Sequence, residues 1–114
     1  MYRIRTFNKI SPVGLNRLDP ALYAVSDSET DEDAILVRSS DMHKLEIPES
    51  LLAVGRAGAG TNNIPVKAMS EKGIVVFNTP GANANAVKEL VIASLFLSSR
   101  NLYEGISWSN SLAG

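Results

Sequence analysis

The chain has 114 residues, of which 45% are hydrophobic, and its formal net charge at pH 7 is -1. This size allows one domain with a real core, and the charge argues against a nucleic-acid binder, which would carry a basic patch. The absence of cysteine excludes a disulfide framework and a thiolate metal site. No signal-like segment opens the chain, and the longest apolar tract, residues 91–97, is far shorter than the ~20 residues of a membrane span. We therefore expect a soluble, cytoplasmic protein.

The first third of the chain predicts a strand, a short helix and a second strand. Residues 3–7 form a partly alternating strand. Ser11 before Pro12 indicates a helix start, because serine accepts an amide hydrogen bond there and proline fits the first turn. This helix would end near residue 18. Residues 21–25 predict the second strand, and the acidic run that follows it, residues 26–33, predicts a solvated loop.

Three further strands are predicted over residues 34–37, 51–54 and 74–77. Each is a continuous apolar run, typical of a strand buried on both faces. Between the last two, residues 64–73 predict a helix that Pro65 opens and Gly73 ends. Because strands alternate with helices, the sequence predicts an α/β fold with a flavodoxin-like, doubly wound parallel sheet of about five strands.

A long helix is predicted from Asn83 or Asn85 to about residue 103. At about 1.5 Å per residue it would be roughly 28 Å long, and apolar residues surround nearly all of it. A helix that lies on one sheet needs only one apolar stripe, so the pattern favours a further partner, either a missing domain or a second copy, over burial within one small domain. We expect an α/β domain over residues 1–83, an inter-domain helix over 84–104 and the start of a linker over 105–114.

Polar segments follow the last three predicted strands, and the carboxyl ends of parallel strands form the edge where ligands bind. Gly58 and Gly60 tolerate positive φ and let backbone amides approach a ligand. The helix near Pro65 would add the partial positive charge of its amino end. Arg38 and Arg56 can each grip a carboxylate or phosphate through two parallel hydrogen bonds. The sequence therefore predicts a site for a small anion.

Several residues allow more than one interpretation. The glycines could form a plain tight turn, whereas a dinucleotide fingerprint is disfavoured because Asn63 occupies its third glycine position and no acidic residue follows at the expected distance. Asn83 could hold a ligand or cap the long helix. His43, which has no second histidine to pair with, is predicted to be a surface residue. We find no nucleophile with an adjacent base and no metal-ligand spacing, so the site is expected to bind and not to catalyse.

Three motifs together resemble the family of D-isomer-specific 2-hydroxyacid dehydrogenases. They are Leu-Val-Arg-Ser over residues 36–39, Val-Gly-Arg-Ala-Gly-Ala-Gly-Thr-Asn-Asn-Ile over 54–64, and Gly-Ile-Val-Val-Phe-Asn-Thr-Pro-Gly-Ala-Asn over 73–83. Val-Lys-Glu-Leu over 87–90 closes the pattern, and the likeness covers roughly residues 34–108. The resemblance implies two α/β domains with an active site in the cleft between them, and NAD as the cofactor.

The resemblance also implies roles for individual residues. Arg38 and Ser39 would contact the substrate, the backbone of residues 58–60 would hold its carboxylate, and Asn83 would face it. Arg56 would lie near the phosphate end of a phosphorylated hydroxyacid. The implied substrate-binding residues are Arg38, Ser39, Arg56, Gly58, Ala59, Gly60 and Asn83.

Three departures from the family pattern put cofactor contacts of this segment in doubt. Ala59 replaces a threonine that reaches the cofactor in some relatives, Ala86 replaces a frequent serine, and Lys88 replaces a small residue. The family's catalytic histidine, its partner glutamate and the glycine turn that binds NAD belong to a second domain that this sequence lacks. We expect an amino-terminal fragment that has no catalytic residue, leaves NAD mainly to the missing domain and is inactive alone.

The expected partners are a small anionic 2-hydroxyacid substrate and a second copy of the chain, with the long helix as the candidate interface. Neither a nucleic acid nor a membrane is expected as a partner. A member that acts on a phosphorylated hydroxyacid is favoured, while another 2-hydroxyacid dehydrogenase or a hydroxypyruvate reductase stays open. A non-catalytic flavodoxin-like interaction or receiver module is the alternative from a different class. A receiver would need an acidic cluster around one phosphoacceptor, whereas the acidic run here follows the second strand.

Overall fold

The computed structural model describes residues 1–113, which form two compact units, the first over Met1–Pro80 and the second from Gly81 onward. The first unit is a five-stranded parallel sheet with strand order β2-β1-β3-β4-β5. Its strands are β1 (Tyr2–Phe7), β2 (Tyr23–Ser26), β3 (Ala34–Val37), β4 (Ala53–Arg56) and β5 (Val75–Phe77). This order is that of flavodoxin-like folds, so the predicted fold class is confirmed.

The carboxyl ends of β1, β3, β4 and β5 lie at one level of the sheet. Phe7 pairs with Val37, and Val37 pairs with Arg56. Gly55 in turn pairs with Phe77, the last residue of β5. The loops after β1, β3, β4 and β5 therefore start side by side. The strand order reverses between β1 and β3, and parallel α/β sheets bind ligands in the crevice that such a reversal opens.

The core lies around β3 and β4. Ile35, Val37 and Val54 are fully buried, as β-branched residues at the centre of a parallel sheet should be. They pack with a cluster of other apolar side chains, namely Met42, Leu51, Ile64, Met69 and Ile74. Each such side chain stabilises the fold by roughly 1.5–3 kcal/mol through burial. The rigid centre of the sheet thus supports the loops at its carboxyl edge.

Helix α1 (Pro12–Leu15) is shorter than predicted, and helix α2 (Val66–Glu71) lies within the predicted range. The chain after α1 continues as tight turns, because Arg17 N donates to Gly14 O and Leu18 N donates to Leu15 O. Strands β2 and β4 also begin two residues later than predicted. Apolar character alone does not fix a boundary: Leu51 is buried, but it lies in a turn where its amide donates to Pro48 O.

The acidic run after β2 is not simply a solvated loop, which corrects the prediction. Glu32 is 3% exposed, and its carboxylate lies 3.5 Å from the Arg5 guanidinium. The Asp33 carboxylate accepts a hydrogen bond of 2.8 Å from the amide of Arg3. Charge composition did not reveal these contacts, because the partners lie about thirty residues earlier in the chain.

The second unit contains two helices, α3 (Ala84–Ser99) and α4 (Leu102–Leu112). The prediction of a single helix to about residue 103 is therefore wrong. Residues 105–112, which were predicted to begin a linker, are helical. The break falls at Asn101, whose φ of 56° is left-handed. Asparagine tolerates this conformation and often terminates helices in it. The proposed domain limits of 1–83 and 84–104 stay a prediction.

Large apolar side chains of the second unit are exposed. Leu90, Leu95 and Phe96 have more than half of their surface accessible, and no residue of α3 or α4 among those described is buried. Across residues 1–113, no helix has the length and apolar character needed to cross a membrane.

Candidate substrate-binding site

The loop after β3, which carries Arg38, is held on one side by Asn63. The Asn63 Nδ2 donates to the carbonyl oxygens of Arg38 at 3.3 Å and of Ser40 at 2.9 Å. Met42 adds a backbone bond, since its amide donates to Asn63 O at 2.8 Å. The loops after β3 and β4 are therefore joined, as the sequence predicted from the parallel sheet.

Asn8, directly after β1, holds the same loop from the other side. Its Oδ1 accepts hydrogen bonds from the amides of Ser39 at 2.9 Å and Ser40 at 2.7 Å. Asn8 has a φ of 65°, a left-handed conformation that asparagine tolerates better than most residues. Neither Asn8 nor its loop was predicted from the sequence to be part of the site. The signal that could have revealed it is an asparagine directly after a strand, at the point where the strand order reverses.

The turn after β4 is joined to the end of β5 by Thr79 and Asn78. The amide of Gly58 donates to Thr79 Oγ1 at 2.8 Å, and the amide of Thr79 donates back to Gly58 O at 3.0 Å. The Thr79 hydroxyl donates to Arg56 O at 3.2 Å, and Asn78 Nδ2 donates to Ala59 O at 2.9 Å. The predicted segment after β5 thus reaches the glycine-rich turn through Asn78 and Thr79, to which the sequence prediction assigned no individual role.

The side chain of Arg56 folds back over the glycine-rich turn. Its Nε donates to Arg38 O at 2.7 Å, and its Nη1 donates to Gly60 O. A Cβ added at Gly60 would lie 2.9 Å from Nη1, and one added at Gly58 would lie 3.3 Å from the guanidinium carbon. Two of the guanidinium donor nitrogens therefore serve the fold of the site.

The contact with Arg56 explains the two glycines differently from the sequence prediction. The glycines with positive φ in the described chain are Gly73 and Gly81, and neither Gly58 nor Gly60 is among them. Gly58 and Gly60 are needed because they leave room for the Arg56 guanidinium. The missing third glycine, not the position of this guanidinium, disfavours a dinucleotide fingerprint in the turn.

Several groups at this edge remain free to bind a ligand. The side chain of Arg38 is exposed and forms no ion pair within the described residues. The amides of Ala59 and Gly60 donate to no other group in residues 1–113. Arg38 also lines a groove of about 440 Å³, whose other lining residues are Lys9, Ile10, Ser11, Pro12 and Ala57. The edge can therefore receive an anion through both guanidinium and backbone donors.

His43 is exposed, as predicted, yet it also supports the turn. Its Nε2 lies 2.8 Å from Asn62 O, and because a carbonyl oxygen can only accept, Nε2 carries the proton. Its amide donates to Asp41 Oδ1 at 2.9 Å. His43 thus links the loop after β3 to the turn after β4.

Asn83 belongs to the second unit, where it is the N-cap residue of α3. Its side chain forms no capping hydrogen bond, although its carbonyl accepts from the amide of Val87 at 3.0 Å. The capping interpretation of its side chain is therefore wrong. Its predicted contact with the substrate stays a prediction.

The parallel five-stranded sheet agrees with the comparison to known families. Residues 16–109 match the catalytic-domain model of the D-isomer specific 2-hydroxyacid dehydrogenases. The chain belongs to this family. Membership decides against a receiver or free-standing interaction module.

Individual relatives narrow the comparison. D-3-phosphoglycerate dehydrogenase from Methanocaldococcus jannaschii is 40% identical over 75 residues, which is 63% of this chain and 14% of the relative. Hydroxypyruvate reductase from Thermotoga maritima is 40% identical over 73 residues, which is 61% of this chain and 24% of the relative. The NAD+-bound crystal structure of 3-phosphoglycerate dehydrogenase from Entamoeba histolytica matches with a TM-score of 0.70 and 27% identity, over 84% of this chain and 38% of that one. The chain thus spans a minor part of the length of these relatives.

Proposed function

We propose that this chain is the substrate-binding part of an NAD-dependent D-3-phosphoglycerate dehydrogenase of serine biosynthesis. The whole enzyme would oxidise the C2 hydroxyl of 3-phosphoglycerate, yielding 3-phosphohydroxypyruvate, by transferring a hydride to NAD and releasing a proton. The observation that carries the proposal is the position of Arg38. It lies at the carboxyl edge of the sheet, in a loop that Asn8 and Asn63 fix from both sides.

Within the site, the Arg38 guanidinium and the neighbouring Ser39 would contact the substrate. The free amides of Ala59 and Gly60 would hold its carboxylate, because backbone donors in a turn form an anion-binding concavity. Gly58 would shape this turn and would not donate to the ligand, since its amide already bonds to Thr79. Arg56 would hold the turn and direct its remaining nitrogen, Nη2, toward the ligand.

NAD would be bound mainly by parts of the enzyme outside the region that this chain shares with its relatives. The glycine-rich turn lacks the third glycine of a dinucleotide fingerprint, because Asn63 occupies that position. The contribution of this chain is therefore to bind and orient the substrate, and hydride transfer would require the rest of the enzyme. We expect no turnover of 3-phosphoglycerate with NAD by the 114-residue chain alone.

Titration calorimetry of the 114-residue chain tests the proposal. We expect saturable binding of 3-phosphoglycerate with a Kd on the order of 1 mM, about 4 kcal/mol. Arg38→Ala should weaken it at least ~10-fold, because one bidentate charged contact is lost. Arg17→Ala removes another exposed arginine and should change the affinity by less than ~2-fold. A wild-type chain that binds neither 3-phosphoglycerate nor glycerate would contradict the proposal.

A hydroxypyruvate reductase is the second candidate, because a relative with that name is as similar in sequence as the first. The two activities share the carboxylate and the C2 centre of the substrate. They differ in the phosphate group, so preference for the phosphorylated compound separates them.

We further propose that two copies of the chain associate through the helices of the second unit. The exposed apolar side chains of α3, with Leu90, Leu95 and Phe96 more than 60% accessible, exceed what a helix normally leaves in water. Sedimentation should show a dimer whose dissociation is promoted by Leu95→Glu, with Lys88→Glu on the same helix as control. A monomer at all concentrations would contradict self-association and leave the substrate proposal unaffected.

A further inference from the structure

We propose that Lys9 and Arg38 together bind the phosphate group of the substrate, so that Lys9 selects a phosphorylated 2-hydroxyacid over an unphosphorylated one. This inference rests on the proposed function and names the substrate class for the same site. Lys9 did not figure among the residues that the sequence predicted.

Lys9 and Arg38 lie at the same edge of the sheet. Lys9 follows β1 and Arg38 follows β3, and both line the groove of about 440 Å³ at the carboxyl edge. β1 and β3 are neighbours in the sheet, and between them the strand order reverses. In a doubly wound sheet the crevice at this reversal is the place where ligands bind. Lys9 therefore faces the same crevice as the arginine already assigned to the substrate.

The side chains that line this groove carry positive charge and no negative charge. The residues that line this groove include two cations and no carboxylate. Within residues 1–113 the ion pair is Arg5 with Glu32, and neither Lys9 nor Arg38 has an acidic partner. The groove beside Arg5 shows the opposite arrangement, since Asp31, Glu32, Glu46 and Glu49 surround one arginine. Two unpaired cations on one groove create a local positive potential that favours an anion.

The loops after β1 and β3 are joined to each other next to the two cations. Asn8, which precedes Lys9, accepts the amide of Ser39, which follows Arg38, at 2.9 Å. The left-handed φ of Asn8 sets the direction in which the chain leaves β1. The backbone positions of Lys9 and Arg38 are therefore fixed relative to each other before a ligand binds, which lowers the entropy cost of binding.

The two positive charges of the groove match the charge of a phosphate better than that of a carboxylate. A phosphate monoester carries roughly -1.5 to -2 at pH 7, whereas a carboxylate carries -1. Arg56, which the resemblance placed near the phosphate, uses Nε and Nη1 to hold Arg38 O and Gly60 O. Lys9 supplies a second cation whose donors are not already used within the fold. This arrangement favours 3-phosphoglycerate over glycerate or hydroxypyruvate, and hence the first candidate function over the second.

The test compares 3-phosphoglycerate with D-glycerate at equal ionic strength, by calorimetric titration of the 114-residue chain. Lys9→Gln should weaken the binding of 3-phosphoglycerate by about 5- to 20-fold, as expected for one charge-assisted contact. It should change glycerate binding by less than ~2-fold, because glycerate has no phosphate. Lys9→Arg should keep most of the affinity for 3-phosphoglycerate, since the charge is retained. Lys72→Gln, the same change at an exposed lysine outside the groove, should have no effect beyond ~2-fold.

The outcomes separate this inference from the proposed function. If Lys9→Gln leaves 3-phosphoglycerate binding unchanged, or weakens both ligands equally, Lys9 does not select phosphate and the inference is overturned. The proposed function would still stand if Arg38→Ala weakens the binding of 3-phosphoglycerate. If the wild-type chain binds neither ligand, the proposed function fails and the inference fails with it. The far-ultraviolet circular dichroism of each variant should match the wild type, because Lys9 is exposed.

Discussion

The guanidinium of Arg56 lies directly against Gly60, where Nη1 donates to the glycine carbonyl. A Cβ at Gly60 would come within 2.9 Å of that same nitrogen. The absence of a side chain at residue 60 and the conformation of Arg56 therefore depend on each other. Through Nε the arginine also holds the carbonyl of Arg38, so one side chain connects the glycine-rich turn to the proposed substrate-binding arginine.

Gly60→Ala tests this dependence. The added methyl group should displace the guanidinium and break its bonds to Gly60 and Arg38, lowering the free energy of unfolding by about 1–2 kcal/mol. It should also weaken 3-phosphoglycerate binding. Urea denaturation measures the stability. Gly14→Ala is the matched control, because a Cβ there meets nothing within 4 Å in α1. That change should be neutral or slightly stabilising. Equal effects of the two changes would show that Arg56 gives way at no cost.

Thr79→Val tests the connection between β5 and the turn. Valine keeps the shape but removes the hydroxyl that accepts from Gly58 N and donates to Arg56 O. We expect a loss of about 1–2 kcal/mol in the free energy of unfolding, because both groups lose a partner. Thr30→Val serves as control, since Thr30 contributes only its carbonyl oxygen, to Arg3. Its unfolding midpoint in urea should stay close to that of the wild type. A Thr79 variant that also kept this midpoint would argue against the connection.

The sequence predicted the sheet well because its signals were local. Buried strands such as Ala34–Val37 are continuous apolar runs, and their carboxyl ends necessarily form one edge in a parallel sheet. The meeting of the loop at Arg38 with the glycine-rich turn followed from this topology alone. It did not require knowledge of a single side-chain contact.

Side-chain contacts between distant residues were beyond such reasoning. The bonds from Ser39 and Ser40 to Asn8 span more than thirty residues, and the buried carboxylate of Glu32 pairs with Arg5 of β1. The break at Asn101 is a different case. It depends on one residue adopting a left-handed φ within an otherwise helical pattern, and an asparagine there is compatible with either outcome.

Glu32→Gln tests the buried ion pair of the first unit. Glutamine keeps the shape of the side chain but removes the charge that faces Arg5 at 3.5 Å. We expect the free energy of unfolding to fall by about 1 kcal/mol, a modest value because the arginine side chain is 30% exposed. The difference should persist in about 0.5 M NaCl, since a buried carboxylate is poorly screened. Glu46→Gln, an exposed carboxylate, should stay within ~0.5 kcal/mol of the wild type. A loss that disappears in salt would indicate a merely superficial pair.

Asn8 allows stability and ligand binding to be separated. Asn8→Gly keeps the left-handed φ of 65° but removes the oxygen that accepts from Ser39 and Ser40. The free energy of unfolding should fall by about 1–2 kcal/mol. Asn101→Gly is the matched control, because Asn101 has a φ of 56° and forms no side-chain cap bond. That change should be neutral or stabilising, as glycine is favoured at such a position.

Asn8→Asp completes the test. Aspartate keeps the acceptor and tolerates the same backbone conformation, so the urea midpoint should stay near that of the wild type. Its negative charge, however, stands next to Lys9 in the loop that lines the groove. Repulsion of the phosphate should therefore weaken 3-phosphoglycerate binding several-fold, and added salt should reduce this difference. If Asn8→Gly and Asn8→Asp instead lost stability equally, the acceptor would not be what holds the loop that carries Arg38.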